Sequence, residues 1–76
     1  MTNKQFDTAY RAFCRRQPFR PFLIEFASGN QLLIAHPEAV RPEADLYVAR
    51  SSDRGYVLFA AEGVSRLLDV PTAATS

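Results

Sequence analysis

Residues 17–26 read Gln17-Pro18-Phe19-Arg20-Pro21-Phe22-Leu23-Ile24-Glu25-Phe26, and the period of the chain changes inside them. Before this stretch, apolar residues recur at Phe6, Ala9, Tyr10, Phe13 and Cys14, the spacing of one helical stripe. After it, Phe22, Ile24 and Phe26 alternate with Leu23, Glu25 and Ala27, which is the two-residue period of a strand. Pro18 has no N–H and disfavours helix at Gln17, so the switch has a covalent cause. The pattern predicts a helix over about 3–16, a stiff connector over 17–22 and β-structure from there on.

Thr2 followed by Gln5 fits a capping box at the helix start, and Asp7 with Arg11 has the spacing of a pair on its outer face. Arg15 and Arg16 place positive charge where the helix dipole ends. Downstream, Ser28-Gly29-Asn30 signals a hairpin, because Gly and Asn tolerate positive φ. Leu32 to Ala35 gives a second strand, stopped near His36-Pro37. Residues 37–45, with two Pro and three acids, read as a loop. A third strand follows over Leu46–Arg50, then a turn at 51–55 and a fourth strand over Tyr56–Ala61. Glu62-Gly63 breaks that strand, and Val64–Val70 reads as a short fifth strand or a helical turn leading into one. The expected fold is α+β: an N-terminal helix on a small, strongly bent antiparallel sheet or barrel of four to five strands. It fills one domain over 1–70, with a disordered tail at 71–76.

Composition narrows the function classes. The chain has 76 residues, one Cys and one His, so neither an internal disulfide nor a four-ligand structural zinc site is available to it. A core of this size supplies roughly 3–5 kcal/mol, which favours stabilisation by other copies and a homo-oligomer. Three strands carry apolar residues on both faces, more than one short helix covers, so a partner is expected around Leu23, Leu33, Val57 and Phe59 or on the faces opposite them. No stretch has the length and apolarity of a membrane span, and a hydrophobic leader is missing behind Met1-Thr2-Asn3-Lys4-Gln5. With one Cys, these features make a cytoplasmic protein without membrane contact the expectation.

The net charge of +1 conceals an asymmetry. Residues 1–20 hold Lys4, Arg11, Arg15, Arg16 and Arg20 against Asp7, while residues 21–76 hold four Arg against seven acids. Arg11, Arg15, Arg16 and Arg20, with Phe19 beside them, form the candidate binding cluster. Guanidinium groups grip phosphates and an adjacent ring stacks a base, as single-stranded nucleic acid requires. The alternative is a solvated helix end that meets an acidic surface on a neighbouring copy or another protein.

Other motifs have structural readings. Pro18-Phe19-Arg20-Pro21 is a PxxP, but two regular elements bracket it. His36 with Glu38 lacks a nucleophile and an orienting group, and Cys14 lies on the apolar stripe. Glu38, Glu43, Asp45 and Asp53 match no oxygen-ligand loop. A nucleophile elbow, a phosphate-binding loop and a dinucleotide-binding glycine triplet are missing. The reading is therefore a non-enzymatic binding module without cofactor or metal.

Two resemblances follow from these motifs. Arg16-Gln17-Pro18-Phe19-Arg20-Pro21-Phe22 after a helix, then Gly29 and His36-Pro37-Glu38, resembles a set of short, mostly uncharacterised bacterial proteins; that resemblance implies no activity. The order of helix, Gly-turn hairpin, meander and the Glu62-Gly63-Val64-Ser65-Arg66-Leu67 break resembles the Sm-like small barrel of the bacterial Hfq and eukaryotic LSm proteins. It implies a barrel that assembles and binds RNA. The Tyr-Lys-His run of Hfq has no counterpart here, where the chain reads Phe59-Ala60-Ala61-Glu62-Gly63, so its uridine-pocket chemistry does not carry over.

Overall fold

The computed structural model describes residues 1–51 and 54–71. Helix α1 (Asn3–Cys14) opens the chain, and the capping box is formed. The Gln5 N–H donates to Thr2 Oγ1 at 3.0 Å, and the Thr2 N–H donates to Gln5 Oε1 at 2.9 Å. The helix stops two residues short of the expected end: Arg15 is its C-cap, which leaves Arg11 as the basic residue of the last turn. Among the described residues Asp7 forms no ion pair with Arg11.

Six strands follow: β1 (Phe22–Phe26), β2 (Gln31–Ile34), β3 (Val40–Glu43), β4 (Leu46–Ser51), β5 (Gly55–Phe59) and β6 (Val64–Asp69). They form two antiparallel three-stranded sheets, in the orders β2-β1-β6 and β3-β4-β5. The α+β class holds. Among the described residues the hydrogen-bonded strands do not close into a barrel, and they number six rather than four or five. The additional strand is β3, inside the segment expected to be a loop. Pro42 is tolerated there because only β4 pairs with β3, so its missing N–H leaves no ladder bond unmade. Glu43 and Leu46 are register partners across the two-residue turn Ala44-Asp45. Ala44 takes a φ of 56°, the left-handed geometry such hairpins demand.

The β1–β2 hairpin is where it was expected, with Gly29 at φ 93°. The fourth strand ends at Phe59, earlier than Ala61. A short 3-10 turn over Ala61–Gly63 occupies the expected break at Glu62-Gly63, and of the two readings of Val64–Val70 the strand is the one present, with no helical turn inside it. The turn at 51–55 lies partly outside the described residues, as does the tail beyond Pro71 that was expected to be disordered.

One core lies between the sheets and is sealed by the helix. Phe22, Ile24, Leu32, Ile34 and Val64 come from the first sheet; Val40, Tyr47, Ala49 and Phe59 come from the second. Phe6 of α1 is buried among them, 4.6 Å from the Tyr47 ring and 5.6 Å from that of Phe59 between centroids. Such offset and edge contacts suit the ring quadrupole. Phe13 and Phe19 pack on Phe22 from outside, so the first Phe of the connector is a half-buried anchor.

Polar contacts set the angle of the helix. The Tyr10 hydroxyl donates to the Pro37 carbonyl at 2.7 Å and accepts from the Val40 N–H at 3.2 Å. It thereby fastens residues 35–39, the segment that carries the chain from the first sheet to the second. The Met1 ammonium donates to the Val64 carbonyl at 2.9 Å, and Tyr47 Oη donates to the Asn3 carbonyl at 3.3 Å. Burial pushes the Tyr10 phenol well above its ordinary range, and a hydrogen bond with Cys14 adds to the effect.

Candidate functional site

The four arginines of the candidate cluster divide into two kinds. Arg16 is committed within the molecule. Its Nη1 donates to the Asp69 carboxylate at the end of β6, and its Nη2 donates to the Arg20 carbonyl at 3.0 Å. The guanidinium carbon lies 4.8 Å from the centroid of the Phe13 ring. This arrangement ties the helix end, the connector and the last strand together. The hydrogen bond from Arg16 holds the Asp69 carboxyl below its usual range. Arg11, Arg15 and Arg20 are exposed, and no ion pair engages them among the described residues.

Other sequence candidates fall into structural roles. Burial pushes the Cys14 thiol up, away from nucleophilic use, and its Sγ sits 3.7 Å from the Pro37 carbonyl. His36 and Glu38 are exposed on the segment joining the sheets. Among the described residues no group of three or more His, Cys, Asp or Glu gathers where it could hold a metal ion, and Asp53 lies outside them. No helix among them is long and apolar enough to cross a membrane.

The outward faces of the sheets carry Leu23 and Leu33, which the sequence marked as a partner face, together with polar and aromatic residues that it did not single out. On the first sheet, Leu33, Leu23 and Leu68 are register partners and form an apolar row, with Leu33 39% exposed. Beside it Gln31, Glu25 and Arg66 form a polar row. Arg66 Nε and Gln31 Nε2 both donate to the Glu25 carboxylate, and the bond from Arg66 is the main cause of its lowered pKa.

On the second sheet, Arg50 stands directly across from Tyr56, and Val48 lies between Arg41 on one side and Leu58 on the other. Tyr56 is 72% exposed and Leu58 60% exposed. The expected uncovered faces are thus uncovered at Leu33; on β5 they are the opposite residues, Tyr56 and Leu58, because Phe59 is buried and Val57 half-buried. A groove of about 180 Å³ opens here, lined by Glu38, Ala39, Arg41, Val48, Arg50 and Tyr56. The Arg50 N–H donates to the Ala39 carbonyl at 2.8 Å and so fixes the wall of that groove. A signal for these residues exists in the sequence: Arg50 and Tyr56 flank one turn and both face out by strand alternation. Comparison with known proteins adds no assignment: no protein-family model, no curated protein and no solved structure matches this chain.

Proposed function

We propose that the chain is a small non-enzymatic binding module that contacts RNA or single-stranded nucleic acid through Arg11, Arg15 and Arg20 at the helix end. The observation that carries this reading is the set of three exposed guanidinium groups that no ion pair engages among the described residues. Arg16, the fourth member of the cluster, acts by holding the connector that presents Arg20. Such a cluster supplies the sequence-independent electrostatic part of nucleic-acid affinity.

The strand order supports the Sm-like or SH3-like reading of the fold. Followed through residues 35–39, the pairing runs β6-β1-β2, then β3-β4-β5, with a 3-10 turn before the last strand. In this reading β2 and β3 correspond to one sharply bent strand, interrupted at His36-Pro37. The module works in the cytoplasm as a homo-oligomer, in which other copies cover the apolar row at Leu33.

The test is a nucleic-acid binding titration of the purified protein across a salt series. Affinity falls steeply with salt, and Arg11→Glu with Arg15→Glu abolishes binding while the helical circular-dichroism signal persists. Retention of affinity in that double variant overturns the reading.

A second reading, a protein-interaction or scaffold unit, is favoured by one observation: Leu33 and Leu58 are large aliphatic side chains in the open. It predicts salt-sensitive assembly and ultraviolet absorbance free of a nucleic-acid component.

A further inference from the structure

We infer that the groove on the outer face of β3-β4-β5 is a nucleotide-binding contact for a single strand, with Arg41 and Arg50 on phosphate and Tyr56 under a base. This rests on the nucleic-acid reading above but assigns the contact to a different face.

Strand register makes the arrangement. Arg50 and Tyr56 are directly opposed on β4 and β5, so their Cβ atoms are about 4.5–5.5 Å apart. Arg41 opposes Val48, which puts it on the diagonal from Arg50, a separation of roughly 7–8 Å. Two guanidinium groups therefore flank one groove, and no ion pair engages either of them among the described residues. Two like charges lining one groove favour an anion placed between them. A phosphate accepts from both forks, which a single ammonium would not reproduce.

Tyr56 supplies the second half of the site. Its ring is open to solvent beside the two arginines, the pairing of stacking platform and cationic track that single strands use. Leu58, next on the same face of β5, extends the platform with apolar surface. Neutral walls at Ala39 and Val48 leave room for the strand. Glu38 stands on the rim and repels phosphate; it gives the inference a sign that can be checked.

The experiment is fluorescence anisotropy with a short fluorescein-labelled single-stranded DNA of mixed sequence, run on the full chain and its variants. Arg50→Ala and Tyr56→Ala each weaken binding roughly tenfold, within the range of one lost stacking or phosphate contact. Tyr56→Phe retains the affinity of the unaltered chain, since the ring rather than the hydroxyl does the stacking. Arg50→Ala lowers the salt slope by about one, Tyr56→Ala leaves it unchanged, and Glu38→Gln tightens binding. These substitutions lie on exposed positions, and circular dichroism confirms that each variant is folded.

If the unaltered chain binds and the Arg50 and Tyr56 variants bind equally well, this site is wrong while the helix-end reading stands. If the unaltered chain does not bind at all, the nucleic-acid reading itself fails. An oligo-glutamate peptide that displaces the DNA and loses its own affinity in the Tyr56→Ala variant would assign the groove to an acidic protein and overturn the inference.

Discussion

On the outer face of β2-β1-β6, Glu25 is held by Arg66 and Gln31, while on the outer face of β3-β4-β5, Arg41 and Arg50 have no carboxylate bonded to them among the described residues. Both faces mix arginine with aliphatic side chains, so composition does not separate them. The difference lies in what each charge has been given to do. A charge neutralised inside the molecule has spent its directional bonding on the fold. A charge left open retains it for a ligand. Arg16 and Arg20 repeat the contrast within one connector: the first is bonded to Asp69, the second faces solvent.

The largest expected effect tests whether the two sheets are one structure. Phe6 lies against the Tyr47 and Phe59 rings of the second sheet and belongs to the same buried core as Phe22 and Ile24 of the first. Phe6→Ala removes a fully buried ring, at a cost of about 3–5 kcal/mol. That is comparable to the whole stability of a domain this small. The variant is expected to be largely unfolded by circular dichroism, with both sheets lost together in one transition. Separate transitions for the two sheets would show that the comparison is between two units rather than two faces of one.

A smaller effect is expected where the sheets are joined. Tyr10→Phe removes the hydroxyl that donates to Pro37 and accepts from Val40, leaving two backbone groups without that partner. The expected loss is about 1–3 kcal/mol in denaturant unfolding. Hydrogen exchange should rise at Val40 and along β3 while β1 remains protected. Uniform loss of protection would argue that this hydroxyl does not govern the connector.

The smallest effect separates the faces by pH. Glu25 and Asp69 have depressed pKa values in the fold, through hydrogen bonds from Arg66 and Arg16 respectively, with Gln31 also on Glu25 and Arg20 near Asp69. A depressed carboxyl stabilises the fold above its unfolded pKa, and that contribution is lost as pH falls through the folded value. Stability therefore declines on the acid side, below the ordinary carboxylate range, by a modest amount because Asp69 is exposed and Glu25, half-buried by its partners, lies on the outer face of its sheet. Glu25→Gln and Asp69→Asn flatten the acid limb of urea unfolding. Arg50→Ala, on the second sheet, removes no bond to a carboxylate among the described residues and leaves the acid limb as it is. An equal change in all three would erase the distinction between paired and open charge.

How much of this was written in the order of residues depends on how local each signal is. The helix, its capping box and the first hairpin depend on neighbours within a few positions, and the pattern of Phe6 to Cys14 and of Phe22 to Ile34 exposes them directly. Strand β3 was hidden by Pro42 and the acids around it, because strand propensity does not distinguish an edge from a centre. Val40 and the two-residue turn after Glu43 were the available clues. The commitment of Arg16 was hidden more deeply, since Asp69 lies 53 residues away. Density of arginine along the sequence therefore pointed to the helix end, although one of its four members is structural. The groove at Arg50 needed register, which places Tyr56 and Arg41 around it, and no single segment contains all three.

The most direct test sets one arginine from each sheet against the other, at equal change in net charge. Arg50→Ala and Arg66→Ala are compared for binding of the same labelled single-stranded DNA at one salt concentration. Arg50→Ala is predicted to lose roughly tenfold in affinity, while Arg66→Ala, whose guanidinium is already bonded to Glu25, retains the affinity of the unaltered chain. Equal losses in the two variants would contradict the account.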